Sequence, residues 1–213
     1  MHVRRIAAVG MSTLLVIGLI LMIPSARTRL LRSAGDALVA EDALEHADAI
    51  VLTIDAQGAG VLEAADLVHG GIATRVAVFD DPLDPADVEF RRRGLPYAAN
   101  AERTTRQLRE AGVQTIDAIG TVEGTESESD LLTQWCDRQN IRTVVVVAPR
   151  DHSRRLRRVL KRTMRGHHTK PIIRAARFSA FEPDRWWQTR GGIRTEIVET
   201  EKLWLDILRH PFS

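Results

Sequence analysis

Residues 143–148 read Thr-Val-Val-Val-Val-Ala, a run dominated by β-branched side chains. The absence of polar alternation indicates a strand that is covered on both faces, as in the middle of a parallel sheet. A second run at 47–54, Ala-Asp-Ala-Ile-Val-Leu-Thr-Ile, has the same character. Each run precedes a stretch in which apolar residues recur at helical spacing, at 152–164 and at 61–69. Both runs therefore predict a strand followed by a helix.

Further strands and helices alternate along the rest of the chain. Turn signals separate them, such as Asp-Asp-Pro at 80–82 and Gly-Leu-Pro at 94–96. This alternation predicts an α/β domain of the three-layer, Rossmann-like kind, with a mostly parallel sheet and helices on both faces. The other predicted strands are 75–79, 115–119 and 172–173, and the other predicted helices are 85–93, 101–111, 125–139 and 193–208.

An apolar run at 6–23 contains no charged side chain. As a helix rising about 1.5 Å per residue it would be roughly 27 Å long, close to the hydrocarbon thickness of a bilayer. We therefore predict one N-terminal transmembrane helix within a membrane anchor at 1–32, followed by the α/β domain at 33–213. A cleaved signal peptide is the alternative, but Pro24 would then stand three residues before the only plausible cut.

The basic residues on either side of the apolar run indicate on which side of the membrane the domain lies. Two arginines precede it and three follow it, so the positive-inside rule gives only a weak preference. A short basic N-terminus ahead of a first apolar segment usually stays in the cytoplasm. We expect a single-pass protein of the cell membrane, with the lipid bilayer as a partner and the soluble domain outside the cytoplasm. Residues 26–45 are predicted to connect the two parts, first as a helix and then as a loop.

Composition narrows the classes of function. The chain has 213 residues, a net charge of +2 and one cysteine, so it can form neither an internal disulfide nor a cysteine-based metal site. No nucleic-acid partner is expected, because the arginine-rich stretch 150–165 lacks interleaved aromatic residues and a recognised motif. No metal site is expected either, because the adjacent His167 and His168 have no evident third ligand.

Polar side chains follow the predicted strands, where ligands bind in open α/β sheets. Asp55 follows the first strand, Asp80 follows the second, and His152 opens the helix after 143–148. Arg154 and Arg155 stand in the first turn of that helix, whose free N–H groups would favour a phosphate or carboxylate. We therefore predict an anion site in which His152 acts as acid, base or ligand. An ordinary polar helix start is the alternative.

The helix predicted at 125–139 begins with Thr-Glu-Ser-Glu. Thr125 followed by Glu128 fits a capping box, in which both side chains bond backbone N–H groups at the start of a helix. The alternative is that Ser127 and Glu128 face the cleft. Taken alone, the spacing favours capping.

Three segments resemble the SanA/YdcF/ElyC family of bacterial envelope-associated proteins. Residues 47–52 are similar to the family's first strand, and residues 123–130 to its acidic helix start. Residues 146–156 resemble its strand–loop–helix segment, in which a histidine is followed three residues later by an arginine. These two residues correspond to His152 and Arg155.

The resemblance extends to the C-terminal helix and has gaps elsewhere. Glu199 and Lys202 resemble the family's closing helix, and Ser127 stands where the family usually has threonine. The family's glycine-rich loop after the first strand is Asp-Ala-Gln-Gly-Ala-Gly here, at 55–60. Its Ser-Gly-Gly-like turn after the second strand is replaced by Asp-Asp-Pro at 80–82.

The resemblance implies a membrane anchor, a Rossmann-like fold and a role in cell-envelope or peptidoglycan maintenance. With the strand-end residues, it leads to the hypothesis of a membrane-anchored protein that binds or processes a phosphorylated envelope precursor. The alternatives are a non-catalytic cell-envelope interaction factor and a nucleotide or S-adenosylmethionine binder, and no cofactor is assigned. The candidate catalytic residues are His152 and Glu128, and the candidate ligand-binding residues are Asp55, Asp80, Ser127, Arg154 and Arg155.

Overall fold

The computed structural model describes residues 23–213. The membrane helix predicted at 6–23 lies, apart from its last residue, outside the described residues. Among residues 23–213, no helix combines the length and the apolar character needed to cross a bilayer. The first described helix, α1 (Pro24–Asp36), follows the apolar run directly and confirms the helical start of the connector.

The described residues form a sheet of five parallel strands. These strands are β1 (Ala49–Leu52), β2 (Arg75–Asp80), β3 (Thr115–Thr121), β4 (Thr143–Ala148) and β5 (Lys170–Ala175). Their spatial order is β3-β2-β1-β4-β5. The two strands whose sequence indicated cover on both faces, β1 and β4, are neighbours, with Val51 opposite Val146. The predicted α/β class with a parallel sheet is confirmed.

Helices connect the strands and cover the sheet. They are α2 (Gln57–His69), α3 (Pro85–Arg92), α4 (Asn100–Glu110), α5 (Gly124–Gln139), α6 (Arg150–Thr163) and α7 (Arg190–Arg209). Each corresponds to a predicted helix, and most bounds differ by three residues or fewer. The start of α2 differs more, because a short 3₁₀ turn, Ile54–Ala56, leads almost directly from β1 into the helix.

Strand β4 separates two apolar cores, because successive side chains of a strand point to opposite faces. Val145 belongs to the core that also contains Leu108 of α4. Its neighbour Val146 belongs to the core that also contains Leu156 of α6. Helices α2 and α4 therefore cover one face of the sheet, and α5 and α6 cover the other.

The C-terminal helix α7 packs beside α6. Its Asp206 accepts a 2.6 Å hydrogen bond from Arg158 of α6. Leu203 joins Leu38 and Phe181 in a third apolar cluster, which attaches the connector after α1 to the domain. These contacts hold α7 against the edge of the sheet at which the strands end.

Candidate functional site

Two adjoining cavities lie at the carboxyl ends of the strands, the edge at which open α/β sheets bind ligands. The larger has a volume of about 540 Å³ and lies between the starts of α2 and α6 and one face of α7. The smaller, of about 190 Å³, lies beside the start of α5. Asp55 lines both. The other ionisable residues of the larger cavity are Asp151, His152, Glu199 and Lys202.

His152 is held in a chain of side-chain contacts at the wall of the larger cavity. Its Nδ1 lies 2.8 Å from Nη2 of Arg155 and 3.6 Å from Oε2 of Glu199. Arginine can only donate, so the shorter contact makes Nδ1 an acceptor and leaves the imidazole hydrogen on Nε2. Nε2 lies 3.5 Å from Oγ1 of Thr125. In this arrangement the buried His152 is neutral and directs an N–H group towards Thr125.

Glu199 is the anion that balances this cluster. It accepts a 2.6 Å hydrogen bond from Nζ of Lys202 and one of 3.1 Å from Nη2 of Arg155. Burial would raise the pKa of Glu199, but the neighbouring Lys202 and Arg155 lower it, and the pKa of Glu199 is held below its usual range. Glu199 is therefore charged across the physiological range and holds Arg155 against His152.

Glu128 lines the smaller cavity and is only 5% exposed. Its Oε1 accepts a 2.9 Å hydrogen bond from the backbone N–H of Ile54. Burial, with a further contribution from the charge of Asp55, raises the pKa of Glu128 to about 7. A carboxyl group with this pKa can give or take a proton near neutral pH, as acid–base catalysis requires.

The predicted capping box at the start of α5 is wrong. Glu123 precedes the helix, and its backbone N–H donates to Oγ of Ser127 at 3.0 Å. The Ser127 hydroxyl in turn donates to the carbonyl oxygen of Glu123 at 2.7 Å. Ser127 therefore supplies the local bonds of this helix start. Thr125 and Glu128 are therefore not used to cap the helix and face the site. Oγ1 of Thr125 accepts a 2.8 Å hydrogen bond from Nη1 of Arg155.

Two further candidates for ligand binding have, like Ser127, structural partners instead. Asp80 accepts a 3.1 Å hydrogen bond from the N–H of Ala101 in the first turn of α4, and it lines neither of the two cavities. Arg154 donates to the carbonyl oxygen of Val39 at 2.7 Å and so ties the connector to α6. Neither residue shares the cluster around His152.

The expected anion site at the start of α6 is filled by protein groups. The N–H of Arg150 donates to Oγ of Ser179 at 3.1 Å, and the N–H of His152 donates to the carbonyl oxygen of Pro149 at 3.2 Å. Arg155 is bonded to Glu199, Thr125 and His152, as described above. The helix start therefore offers an incoming anion fewer free donors than the sequence suggested.

Sequence reasoning missed three groups of the site. Asp151 is not among the candidate site residues of the sequence analysis, yet it lines the cavity, and burial together with Glu199 and Asp55 raises its pKa. Glu199 and Lys202 entered only through the family resemblance. Their spacing of three residues, which places both on one face of α7, was the available signal.

One group of possible metal ligands occurs within residues 23–213, formed by Glu126, Asp206 and His210. Asp206 is already bonded by Arg158 at 2.6 Å and by Arg162 at 3.2 Å. Two guanidinium groups at the central carboxylate oppose the approach of a cation, so these residues do not make a convincing metal centre.

Comparison with known proteins adds little to this geometry. No family model matches the chain, and no curated protein matches it. Among solved structures, a universal stress protein in complex with cAMP is similar over 62% of this chain and 99% of its own, with 12% identity and a TM-score of 0.39. Similarity at this level carries no conclusion about activity or ligand, so the case for function depends on the side chains at the sheet edge.

Proposed function

We propose that this chain is a membrane-anchored, envelope-associated enzyme of the SanA/YdcF/ElyC kind that processes a phosphorylated cell-envelope or peptidoglycan precursor by acid–base catalysis. The observation that carries the proposal is the pair of cavities with different titratable groups. His152 stands at the wall of one cavity and Glu128 at the wall of the other, and Asp55 lines both. A substrate that extended past Asp55 would meet both groups.

His152 and Glu128 suit complementary roles, one as a hydrogen-bond donor and the other as a group that transfers protons. Nε2–H of His152 is a hydrogen-bond donor in this arrangement, so this side chain can stabilise a negative charge that develops on the substrate. Glu128, with a pKa of about 7, is available as carboxylate or carboxylic acid at neutral pH. It can accept the proton that a water or hydroxyl nucleophile loses.

Arg155 acts as a positioning residue in this scheme. Its guanidinium donates to Thr125 Oγ1 and to Nδ1 of His152, both at 2.8 Å, and so sets the tautomer of the imidazole. If Arg155 swung away, Nδ1–H could face Glu199, and Nε2 would become a base directed at the Thr125 hydroxyl. The same residues can therefore present His152 as a hydrogen-bond donor or as a base.

Lys202 is the cation best placed for a phosphate. It lines the larger cavity, and about half of its side chain remains exposed although it pairs with Glu199. Asp55 and Asp151 favour hydroxyl, amide or amine groups on the rest of the substrate, because carboxylates accept hydrogen bonds from them. A phosphorylated sugar or amino-sugar fits this distribution of charge.

The first test is ligand binding by the full chain in non-ionic detergent, followed by thermal unfolding with phosphorylated sugars, lipid-carrier headgroups and nucleotides. A ligand at a hundred times its Kd should stabilise the fold by about 2.7 kcal/mol. Lys202→Met should abolish the stabilisation by phosphorylated ligands. Lys161→Met, which removes an exposed lysine of α6, should not.

The second test is turnover of any ligand so found. His152→Gln and Glu128→Gln should each lower kcat by about 100-fold or more, the usual contribution of an acid–base group or of a donor to a developing negative charge. His167→Gln and Glu126→Gln remove exposed residues of the same types and should leave kcat unchanged. Full activity in both site variants would contradict the proposal and favour a non-catalytic contact factor. Stabilisation by nucleotides alone would favour the nucleotide binder.

Topology is tested separately. A reporter fused after Ser213 that is active only outside the cytoplasm should be active if the domain lies there. A signal from a cytoplasm-only reporter instead would contradict the proposed location.

A further inference from the structure

Helix α7 carries an apolar stripe on the side opposite the larger cavity. Its members are spaced by four, seven and four residues, which places them on one side of a helix. Each is at least 40% exposed. The members of this α7 stripe are Ile193, Ile197, Trp204 and Leu208. The cavity-lining residues Thr195 and Lys202 lie on the other side of the same helix.

The α7 stripe lies next to the part of the domain that receives the connector. Leu203, one residue before Trp204, packs in the cluster that includes Leu38 of the connector. Nε1 of Trp186, which contacts the same cluster, donates to the carbonyl oxygen of Leu31 in α1 at 2.7 Å. Helix α1 is therefore attached on the α7 side of the domain.

The first residue of α1 marks where the apolar run at 6–23 ends. A helix of 13 residues is about 20 Å long. The end of the apolar run therefore lies within about 20 Å of the apolar cluster that contains Leu38 and Leu203. A bilayer that held residues 6–23 would begin there. Its surface would come within reach of the α7 stripe.

The composition of α7 fits such a surface. Trp204 stands among aliphatic side chains, as is common where a helix lies in the interface of a membrane. Arg190 and Arg194 are exposed at the start of the helix, and no ion pair among the described residues includes either of them. Cations beside an apolar stripe match a surface with anionic lipid headgroups.

We propose that the α7 stripe lies on the surface of the bilayer, so that the domain is held in one orientation on its anchor. This inference rests on the membrane anchoring in the proposed function. The cavity-lining side of α7 then faces away from the lipid, and the larger cavity stays open to water.

The chain lends itself to a test with a single label. Cys136, the sole cysteine, is buried, so a thiol-reactive dye will attach only to an introduced cysteine. Leu208→Cys places the dye on the α7 stripe. Leu62→Cys, which replaces an exposed leucine of α2, is the matched control. The full chain is reconstituted in vesicles of phosphatidylcholine and phosphatidylglycerol and labelled with an environment-sensitive nitrobenzoxadiazole.

In these vesicles the emission of the dye at position 208 should shift to the blue and be quenched by lipids that carry a spin label near the headgroup. The dye at position 62 should show neither effect. Adding Ile197→Glu and Trp204→Glu should abolish the quenching at position 208 while the chain still floats with the vesicles. The two glutamates replace exposed residues, so the fold should persist.

Three results would overturn the inference, and they are distinguishable. A chain that does not float with vesicles removes the anchor, and with it both this inference and the proposed membrane location. If the chain floats but the dyes at positions 208 and 62 have the same emission and neither is quenched, the inference about the α7 stripe is wrong and the anchor is unaffected. Concentration-dependent energy transfer between labelled chains at position 208, without quenching by spin-labelled lipid, assigns the stripe to a second copy of this chain.

Discussion

The elevated pKa of Glu128 predicts how the stability of the domain depends on pH. Replacing Glu128 by glutamine keeps the size of the side chain and leaves an amide oxygen that can accept the 2.9 Å hydrogen bond from the N–H of Ile54. The substitution removes only the ability to ionise. The variant therefore isolates the free-energy cost of a charge at this buried position.

The size of this cost follows from the difference between the pKa of Glu128 in the unfolded chain and its pKa in the folded chain. A carboxyl group of this type ordinarily has a pKa of 4.5, whereas burial raises that of Glu128 in the folded chain to about 7. Each pH unit of difference corresponds to about 1.4 kcal/mol, so ionised Glu128 should destabilise the fold by about 3 kcal/mol.

The sign is that of a raised pKa. The folded state holds the proton of Glu128 more tightly than the unfolded state does. The stability that protonated Glu128 contributes is therefore fully present below about pH 4.5 and is lost as the pH rises through about 7. The wild-type chain should therefore lose about 2.5 kcal/mol of stability from this group between about pH 5 and about pH 8. Glu128→Gln should lack this loss.

Urea unfolding followed by tryptophan fluorescence, on the full chain in non-ionic detergent at both pH values, measures the difference. Comparison of wild type with Glu128→Gln cancels the titration of the other groups. Glu126→Gln, on the same turn of α5 but exposed, should follow the wild-type dependence. If wild type and Glu128→Gln showed the same change in free energy of unfolding with pH, Glu128 would not have the raised pKa on which the proposed chemistry depends.

Three other predictions test the structure. Cys136 should resist maleimide in the folded chain and react in denaturant, because burial raises its pKa to about 12; a mass shift without denaturant would contradict this. Glu63→Gln should lower the free energy of unfolding in urea by about 2–3 kcal/mol, since Glu63 is buried and pairs with two arginines. Glu41→Gln, which changes an exposed residue, should lower the free energy of unfolding by under about 1 kcal/mol. Equal losses in the two variants would contradict the larger contribution expected of the buried Glu63. Gly35→Ala should lower the melting temperature through a loss of about 1–3 kcal/mol, because an added Cβ would clash with the carbonyl oxygen of Pro183; an unchanged melting temperature would show that α1 is not packed there.

The strands were predictable because local composition alone reflects cover on both faces. Every position of β1 is buried, and in β4 only the first residue, Thr143, is partly exposed. Edge strand β3 had a weaker signal, since it is partly exposed along its length, and its predicted end at residue 119 falls two residues short of Thr121. A strand that is half in solvent tolerates polar residues, so its sequence marks its bounds less clearly.

The site was predictable only in outline. His152, Glu128 and Asp55 do lie at the two joined cavities, because the rule that ligands bind at the carboxyl ends of parallel strands depends on topology alone. Asp80 and Arg154 follow the same rule by position, yet they bond backbone groups nearby. Spacing cannot distinguish a side chain that caps a helix from one that faces a cavity.

The sequence by itself determined the order of strands and helices, their parallel arrangement and the edge at which polar side chains gather. These properties follow from the local spacing of apolar residues and from turn signals, which act over a few neighbouring positions. Only the tertiary structure decided the protonation chemistry. Glu199 reaches His152 across 47 positions of the chain, and Glu128 meets the N–H of Ile54 across 74. Burial and charge at such contacts depend on which elements pack together, and no local pattern records that.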